Sequence, residues 1–457
     1  MIDRRSFLKT SLAAASCASL PGLAFAQGSS PAPILIRGAS IFDGRTPELI
    51  TGVDVLIENG LISAIGENLD LPEGSEDGVA AQVIDADGRV LTPGMTDAHT
   101  HVMWNDTIEN LIYASPHEYA GAMAAEGARR MLLRGFTTVR DMGGPSFGLK
   151  RAIDSGVVPG PRILPSGFFI SQTSGHGDFD PRHNYLSPHF TPQMDPAYLR
   201  GWTIIADGVP EVRKAVRECL RYGASQIKIM GSGSVTGAHD PLDVTEYTPE
   251  ELSAIVEEAT HWGTYATIHA YTDVAIFNAI QAGVRSIEHG LFASEATMQL
   301  MKEKDIIYST QFLSFSVGPD QAGMTGDSIP KYLEAQAGAK NGYERSKALG
   351  LKMAFGTDIL GTIDLGPFQS QEFVARTAYY EPVEILTQAT SINAELFERS
   401  GQRHPYQDGP LGVIAEGAYG DLLLVNGNPL EDITLMANPD EGLGLIMKGG
   451  TIFKNTL

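Results

Sequence analysis

Cysteine is nearly absent from this sequence: only Cys17 and Cys219 occur among 457 residues. Because Cys17 falls in a predicted export signal, Cys219 would be the one cysteine left after processing, and an intrachain disulfide is not expected. Cys219 lies in a helical pattern, which predicts a small buried side chain. A disulfide framework is therefore excluded as the basis of this fold.

Long apolar runs and basic residues are also scarce. No apolar stretch of membrane-spanning length follows residue 26. Lysine and arginine together number 33, against 55 aspartate and glutamate residues, which gives a formal net charge of −22. An anionic chain of this kind is a poor partner for nucleic acid or for an anionic membrane surface. We therefore expect neither as a partner and look for a small-molecule substrate.

Residues 1–26 have the form of an export signal. Arg4 and Arg5, in the segment DRRSFLK, match the twin-arginine pattern, a short apolar stretch follows, and Ala24-Phe25-Ala26 fits a cleavage site. The twin-arginine route exports folded proteins, which suits a protein whose metal centre is assembled in the cytoplasm. The signal predicts a periplasmic or secreted protein. Whether Cys17 is lipidated stays open.

The two ends of the remaining chain share a β-rich pattern that the middle lacks. Residues 27–90 and 401–457 contain short strand patterns, and Asn59-Gly60 predicts a hairpin turn between two of them. Residues 91–400 alternate strand and helix through about eight strands, and no GxGxxG motif follows any of them. This pattern predicts an α/β protein: a parallel (β/α)8 TIM barrel over 91–400, with a small β-sandwich domain formed from both termini. An open doubly wound sheet is the alternative.

Residues 91–102, LTPGMTDAHTHV, carry the first candidate metal ligands. His99 and His101 lie two apart on a predicted strand and so point to one face, together with Asp97. Two adjacent imidazoles can hold a divalent ion, with zinc–nitrogen distances of about 2.0–2.1 Å. Catalytic groups of barrel enzymes lie at the carboxyl ends of strands. Four more polar residues occupy such predicted positions: Lys228, His269, His289 and Asp358.

These motifs resemble those of the amidohydrolase superfamily with a two-metal centre. The similarity covers nearly the whole mature chain and includes the PGxxDxHxH pattern of residues 93–101, the GTD motif of residues 356–358 and the split β domain. The segments QIKIM, IHAY, SIEHG, FGTD and SGHGD are similar to Xaa-Pro dipeptidases and to ochratoxin-hydrolysing amidases. The familiar opening has aliphatic residues where this chain has Met95 and Thr96, a departure that does not touch the ligands.

The resemblance implies two divalent metal ions, for which zinc suits the ligands and manganese or cobalt could substitute. Lys228 would bridge both ions as a carbamate formed with carbon dioxide, and a hydroxide shared by the ions would attack the substrate. The more buried ion would be held by His99, His101 and Asp358, and the more exposed one by His269 and His289.

The resemblance also implies catalytic roles for three residues. Asp358 would take the proton from the attacking water and pass it to the leaving amine. His176, in the loop SGHGD, would hydrogen-bond the oxyanion, and Tyr271 would contact the carboxylate or carbonyl of the substrate. A surface position for His176 and simple packing for Tyr271 are the alternatives. The roles of three further histidines stay open: His183, His189 and His239.

The sequence thus predicts an exported metal-dependent amidohydrolase. Its substrates would be dipeptides such as Xaa-Pro, or N-acyl amino acids of the ochratoxin type, with a free α-carboxylate. A cyclic-amide hydrolase similar to imidazolonepropionase is an alternative, but one metal ion would leave Lys228 without a role. A lactonase or phosphotriesterase on the same metal centre is another. A non-enzymatic metal-binding protein would not need Asp358 or His176. A homo-oligomer is expected, as for most soluble enzymes.

Overall fold

The structure is a computed structural model that describes residues 32–74, 79–180, 195–237 and 240–457. The predicted signal over residues 1–26 lies outside the described residues, as do His183, His189 and His239. None of the helices in the described part of the chain combines the length and apolar character needed to cross a membrane.

Strands occur at both ends and throughout the middle of the chain. In chain order they are β1 (Ile34–Ile41), β2 (Ile50–Glu58), β3 (Leu61–Gly66), β4 (Gln82–Asp85), β5 (Val90–Pro93), β6 (Met95–Thr100), β7 (Phe136–Asp141), β8 (Arg162–Pro165), β9 (Phe169–Ser171), β10 (Thr203–Ile205), β11 (Ile227–Met230), β12 (Ala266–Ala270), β13 (Ser286–His289), β14 (Ile307–Thr310), β15 (Met353–Phe355), β16 (Leu422–Val425), β17 (Leu443–Lys448) and β18 (Thr451–Asn455).

The helices fall mainly between the central strands. They are α1 (His117–Leu133), α2 (Phe147–Asp154), α3 (Pro196–Leu199), α4 (Val209–Tyr222), α5 (Pro249–His261), α6 (Asp273–Ala282), α7 (Glu295–Glu303), α8 (Ser328–Leu349), α9 (Phe368–Arg376), α10 (Pro382–Thr387), α11 (Asn393–Glu398), α12 (Thr434–Ala437) and α13 (Pro439–Gly442). Two single π-helical turns, Asn110–Ala114 and Gln388–Ile392, accompany them.

The strands from the two ends of the chain form one sheet of eight strands. β1 is antiparallel to β2, and it pairs in parallel with β4 along its first half and with β5 along its second half. Antiparallel pairing continues from β5 through β16 and β17 to β18. The predicted sandwich would have two sheets. The strands instead connect into a single branched sheet, because β1 is bent at Gly38 (φ 69°) and offers one edge to two partners.

The predicted turn at Asn59-Gly60 is confirmed. Both residues have positive φ, 52° and 82°, which is the conformation of a type I′ hairpin turn. The turn joins β2 to β3, whose antiparallel register places Glu58 opposite Leu61. Asn and Gly tolerate this left-handed conformation better than other residues, so the local sequence sets the register of this hairpin.

The central strands are parallel, which confirms the α/β class. They form a three-stranded sheet in the order β6-β7-β8 and a seven-stranded sheet in the order β10-β9-β11-β12-β13-β14-β15. The apolar pattern of residues 162–170 predicts a single strand, but the structure has two strands there, β8 and β9. Gly167, with φ 77°, interrupts the extended backbone between them, so β8 pairs with β7 while β9 pairs with β10 and β11.

Hydrogen bonds outside the strand ladders join these two parallel sheets. The N–H of Ser225, just before β11, donates to the carbonyl of Pro165 at the end of β8, at 2.7 Å. At the opposite edge, the N–H of Asp358 donates to the carbonyl of His99 at 2.8 Å. Near this bond, the side-chain amide of Asn393 donates to one carbonyl of β6 and one of β15. β15 is thereby held beside β6.

Helix boundaries follow local signals where these are strong. Thr248 followed three residues later by Glu251 predicts a capping box, and α5 begins with one: the Thr248 hydroxyl accepts from the N–H of Glu251, and the Glu251 carboxylate accepts from the N–H of Thr248. α4 buries Cys219, as predicted. The sequence pattern predicts a helix only over 344–350, whereas α8 has 22 residues. Its buried face uses small residues such as Ala335 and Ala339, which gives little hydrophobic periodicity.

Candidate active site

The structure brings the predicted ligands together beside the carboxyl ends of the parallel strands. The rings of His99 and His101 are 5.4 Å apart between centroids, those of His99 and His289 5.1 Å, and those of His269 and His289 4.4 Å. Oδ1 of Asp358 lies 3.2 Å from Nε2 of His101 and 3.5 Å from Nε2 of His99. Residues from four different strand ends therefore share one small volume.

Two of these residues have a strained backbone. His289, the last residue of β13, has φ 68°, and Asp358, shortly after β15, has φ 52°. Positive φ is disfavoured for residues other than glycine, and it persists where the surrounding structure imposes it. Such strain concentrates at functional sites, so the backbone supports the assignment of both residues to the site.

Three imidazoles are oriented through their Nδ1 atoms. In each, Nδ1 lies against an oxygen acceptor: His99 against Oε2 of Glu288 at 2.8 Å, His101 against the carbonyl of Gly143 at 3.2 Å, and His289 against Oε1 of Gln311 at 2.7 Å. Because these oxygens accept, Nδ1 carries the proton and Nε2 keeps its lone pair. This is the arrangement in which a histidine ligates a metal through Nε2.

The protonation of the imidazoles also suits metal binding. Burial lowers the pKa of His99 to about 4 and that of His289 to about 3, and it lowers the pKa of His269 well below its ordinary value. These side chains are therefore neutral at physiological pH. A neutral imidazole offers a lone pair without first losing a proton.

Asp358 is held in its anionic form. Burial acts to raise the pKa of this carboxyl, but the neighbouring imidazoles of His99, His101 and His289 outweigh burial and lower the pKa. The metal-ligating atoms of His99, His101 and Asp358 all lie within 4.8 Å of one another. Oδ1 of Asp358 and Nε2 of His269 are buried without a hydrogen-bond partner. Buried oxygen and nitrogen atoms whose lone pairs have no hydrogen-bond partner are suited to bind divalent metal ions.

Lys228 is the second residue of β11 rather than at its carboxyl end, where the sequence pattern predicts it, and only 1% of it is exposed. Burial lowers the pKa of its ammonium to about 8. Within the described ranges it forms no ion pair, and its charge lowers the pKa values of His99, His269 and His289. A buried ammonium beside metal ligands is unfavourable, whereas a neutral amine that becomes an anionic carbamate fits two cations.

Glu288 and Arg140 are buried beside the candidate metal ligands, and no sequence pattern predicts their role. Oε1 of Glu288 accepts from Nη2 of Arg140 at 2.7 Å and from the hydroxyls of Thr267 and Ser286, while Oε2 faces Nδ1 of His99. Arg140 and His99 help to lower the pKa of Glu288 well below its ordinary value although burial opposes this. A charged residue inside a buried strand was the only available signal.

Asp97 shares the HxH segment but is directed away from the candidate ligands. Its carboxylate accepts from the backbone N–H of His99 and from both the N–H and the hydroxyl of Thr357, at 2.6–3.1 Å. Nε2 of Gln369 donates to it as well. Asp97 therefore ties β6, which carries His99, to the segment that carries Asp358. Its role is to stabilise the contact between these two segments.

His176 lies in the site rather than on an outer surface. Its ring stacks on His269 with a centroid distance of 4.4 Å and an interplanar angle of 25°. Nδ1 lies 2.7 Å from Oγ of Ser234 and 3.1 Å from Oδ2 of Asp240, and its backbone N–H donates to Glu246. These three partners lie in a loop where the sequence offered no pattern, so they were not identified in advance.

Tyr271 stacks on the other predicted ligands. Its ring lies 4.9 Å from that of His269 and 5.3 Å, edge to face, from that of His289. Burial raises the pKa of its hydroxyl, so the side chain stays a neutral hydrogen-bond donor. Tyr271 is thus at the imidazole cluster, and its contact with a substrate stays a prediction.

An aromatic wall made of Trp104, Phe169 and Phe179 flanks the opposite side of the cluster. Trp104 and Phe169 lie 5.8 and 5.4 Å from the ring of His101, and Phe179 contacts both aromatic residues. Trp104 and Phe179 are only partly buried. The wall offers an apolar face to a bound molecule next to the candidate metal ligands.

Comparison with known proteins shows the family to which this chain is similar. The chain matches the amidohydrolase family over residues 90–452. Ochratoxinase from Aspergillus niger is 34% identical over 376 residues, which cover 80% of this chain and 76% of the relative. A prolidase crystallised with N-methylphosphonate-L-proline has a TM-score of 0.83 at 36% identity, over 93% of this chain and 100% of the other. A Xaa-Pro dipeptidase with bound methionine has a TM-score of 0.78 at 27% identity, over 93% and 100%.

These similarities confirm the family resemblance expected from the motifs, together with its closeness to ochratoxinase and prolidase-like members. They also confirm the expected class of reaction, hydrolysis at a carbon–nitrogen bond. The chain belongs to the amidohydrolase family.

Proposed function

We propose that this chain is an exported, metal-dependent amidohydrolase that cleaves the amide bond of dipeptides such as Xaa-Pro or of N-acyl amino acids. The observation that carries the proposal is the gathering of four imidazoles and Asp358 at the strand ends, with Nε2 of His99, His101 and His289 left free. The relatives named ochratoxinase and Xaa-Pro dipeptidase support this class of substrate.

The fold proposed for this activity is a closed barrel. The two parallel sheets would complete one (β/α)8 barrel over residues 91–400, and residues 27–90 and 401–457 would form one β domain. The hydrogen bonds from Ser225 to Pro165 and from Asp358 to His99 support closure, since they join the sheets at both edges. Export by residues 1–26 to the periplasm or the medium, and a homo-oligomeric state, remain part of the proposal on the sequence arguments alone.

The proposed cofactors are two divalent ions, by preference zinc. When bound, such ions supply an activated water and polarise the scissile carbonyl. We assign one ion to His99, His101 and Asp358 and the other to His269 and His289. Lys228, as a carbamate, would bridge them. The lowered pKa of Lys228, about 8, supports this because carbon dioxide reacts with the neutral amine.

The chain's own residues would move the protons and orient the substrate. The reaction adds water across the amide: the carbonyl carbon gains a hydroxyl, the carbon–nitrogen bond breaks, and nitrogen gains a proton. Asp358, held as a carboxylate, accepts the proton of the attacking water and delivers it to the leaving nitrogen. His176, when both of its ring nitrogens carry a proton, donates from Nε2 to the carbonyl oxygen as negative charge develops there. The hydroxyl of Tyr271 contacts the substrate's carboxylate or carbonyl.

The aromatic wall favours substrates with a bulky apolar group on one side of the scissile bond. Trp104 and Phe179 present partly exposed rings beside His101. Rings of this kind pack well against a proline ring, an aromatic side chain or a fused aromatic acyl group. We therefore expect N-acyl aromatic amino acids and apolar Xaa-Pro dipeptides to be cleaved faster than small polar dipeptides.

A hydrolysis screen of the zinc-loaded mature protein tests the proposal. It compares Xaa-Pro dipeptides, other dipeptides and N-acyl amino acids with the same compounds capped as methyl esters, and the Asp358→Asn variant serves as the inactive control. Cleavage of the free acids alone supports the proposal. Equal cleavage of the capped compounds, or of simple esters alone, would favour the lactonase or phosphotriesterase alternative. No turnover of any amide or ester would favour a metal-binding protein.

A further inference from the structure

Lys331, in the first turn of α8, is enclosed by backbone carbonyls from the loop that follows β11. Its Nζ donates to the carbonyls of Ser234, Gly237 and Asp240, at 3.2, 2.9 and 2.9 Å. An ammonium group has three N–H donors, so all of its hydrogen-bonding capacity is used here. A cation near a helix N-terminus is disfavoured by the helix dipole, and the three carbonyls offset that cost.

The same loop orients His176. Oδ2 of Asp240 accepts from the N–H of Ser234 at 2.8 Å and lies 3.1 Å from Nδ1 of His176, while Oγ of Ser234 lies 2.7 Å from the same Nδ1. Asp240 is 1% exposed. Burial acts to raise its pKa, but His176 and Lys331 outweigh burial and lower it, so the group facing Nδ1 is a carboxylate.

These contacts determine which nitrogen of His176 faces a substrate. A carboxylate at Nδ1 requires the N–H to be there, so Nε2 is the nitrogen left for other contacts. Stacking on His269 fixes the plane of the ring. The backbone of His176 is fixed independently, through Glu246. The orientation of the ring therefore depends on Asp240 and Ser234, whose backbone carbonyls accept from Nζ of Lys331.

We propose that Lys331 is a positioning residue for His176: by binding the carbonyls of Ser234, Gly237 and Asp240, it holds Asp240 against Nδ1 and so directs Nε2 towards the substrate. This inference rests on the proposed function in that the substrate contact of His176 belongs to amide hydrolysis. α8 thereby becomes part of the active-site structure although it supplies no group to the reaction.

The first test reads the imidazole directly and needs no turnover. In the full mature protein, the ¹⁵N shifts of His176 are compared between wild type and Lys331→Met, with His176→Asn used to assign the signal. We expect N–H protons on both Nδ1 and Nε2 in wild type and a partial loss of the Nδ1–H signal in Lys331→Met. Lys331→Arg should restore the wild-type pattern because a guanidinium also donates to carbonyls. Lys340→Met, an exposed lysine on the same helix, is the matched control. An unchanged signal in Lys331→Met would overturn the proposal.

The second test is a double-mutant cycle on the amide that the wild type cleaves best. Lys331→Met should lower kcat about tenfold in the wild-type background and less than about twofold in His176→Asn. An equal loss in both backgrounds would show a general structural effect and would overturn the positioning role. If the wild type cleaves no amide, the proposed function fails, and the imidazole signal still decides whether Lys331 orients His176.

Discussion

Replacing Glu288 by Gln tests whether the buried Arg140–Glu288 pair supports the metal site. The substitution keeps the size of the side chain and removes one negative charge and one acceptor oxygen. In the native protein the two carboxylate oxygens serve His99, Arg140 and two hydroxyls. The glutamine amide has a single oxygen. If that oxygen faces Arg140, the NH2 group faces Nδ1 of His99, where a donor now meets a donor.

The expected cost has two separable parts. Both charged side chains of the pair are fully buried, and leaving a buried charge without its partner costs about 3–5 kcal/mol of folding free energy. Because the amide oxygen still accepts from Arg140, the lower value, about 3 kcal/mol, is expected. In addition, His99 loses the acceptor that keeps the proton on Nδ1. Losing such a partner weakens metal binding by about 10–100-fold.

Two assays separate these effects. Urea unfolding of the chelator-treated protein measures the folding cost, and competition with a chromophoric chelator measures the zinc affinity. Glu303→Gln, an exposed glutamate at the end of α7, is the matched control and should change neither quantity. The reasoning is refuted if Glu288→Gln has both the urea unfolding curve and the zinc affinity of the wild type. In that case neither the Arg140–Glu288 pair nor the tautomer of His99 would depend on the negative charge of Glu288.

Three further changes address the ligands and one buried carboxyl. Lys228→Ala should lower the metal content, measured by elemental analysis, and nearly abolish turnover in the amide assay. A variant that still binds two metals and keeps full activity would exclude a bridging carbamate. Asp358→Asn should keep much of the metal but lose turnover by about 10²–10⁴-fold, and an unchanged rate would remove Asp358 as the proton carrier. Burial raises the pKa of Glu246 from 4.5 to about 9. As pH rises, this carboxyl therefore loses its proton in the unfolded chain before it does so in the folded protein. The free energy of unfolding falls as pH rises from about 4.5 to about 9 for this reason. Glu246→Gln should therefore gain stability over wild type at pH 8 but not at pH 4 in urea unfolding, and an equal gain at both values would contradict a neutral Glu246.

The predicted ligands could be found from sequence because each one is a polar residue within or at the end of an apolar strand pattern. Their supporting partners could not. Glu288 meets His99 across 189 residues of chain and Arg140 across 148, and Lys331 meets Ser234 across 97. Only the tertiary fold brings such pairs together, and no local periodicity records them.

The errors in the fold prediction have the same origin. The strand pattern over 162–170 is divided at Gly167. The positive φ of Gly167 is required because β8 and β9, on either side of it, pair into two different sheets. The full length of α8 depends on packing of small residues that a hydrophobic pattern does not reveal. Turn and capping signals succeeded where the responsible contacts are a few residues apart, as at Asn59-Gly60 and Thr248.

The pairing of β5 with β16 has a consequence for the order in which the protein can be made. Thr92 pairs with Leu423, and only Gly94 separates β5 from β6, the strand that carries His99. During synthesis β5 can pair with β1 on one edge, but it leaves the ribosome long before β16, its partner on the other edge, exists. A contact across more than 300 residues forms slowly. The edge of β5 that pairs with β16 therefore stays open until nearly all of the chain has been translated, and the base of the first ligand-bearing strand is completed only then.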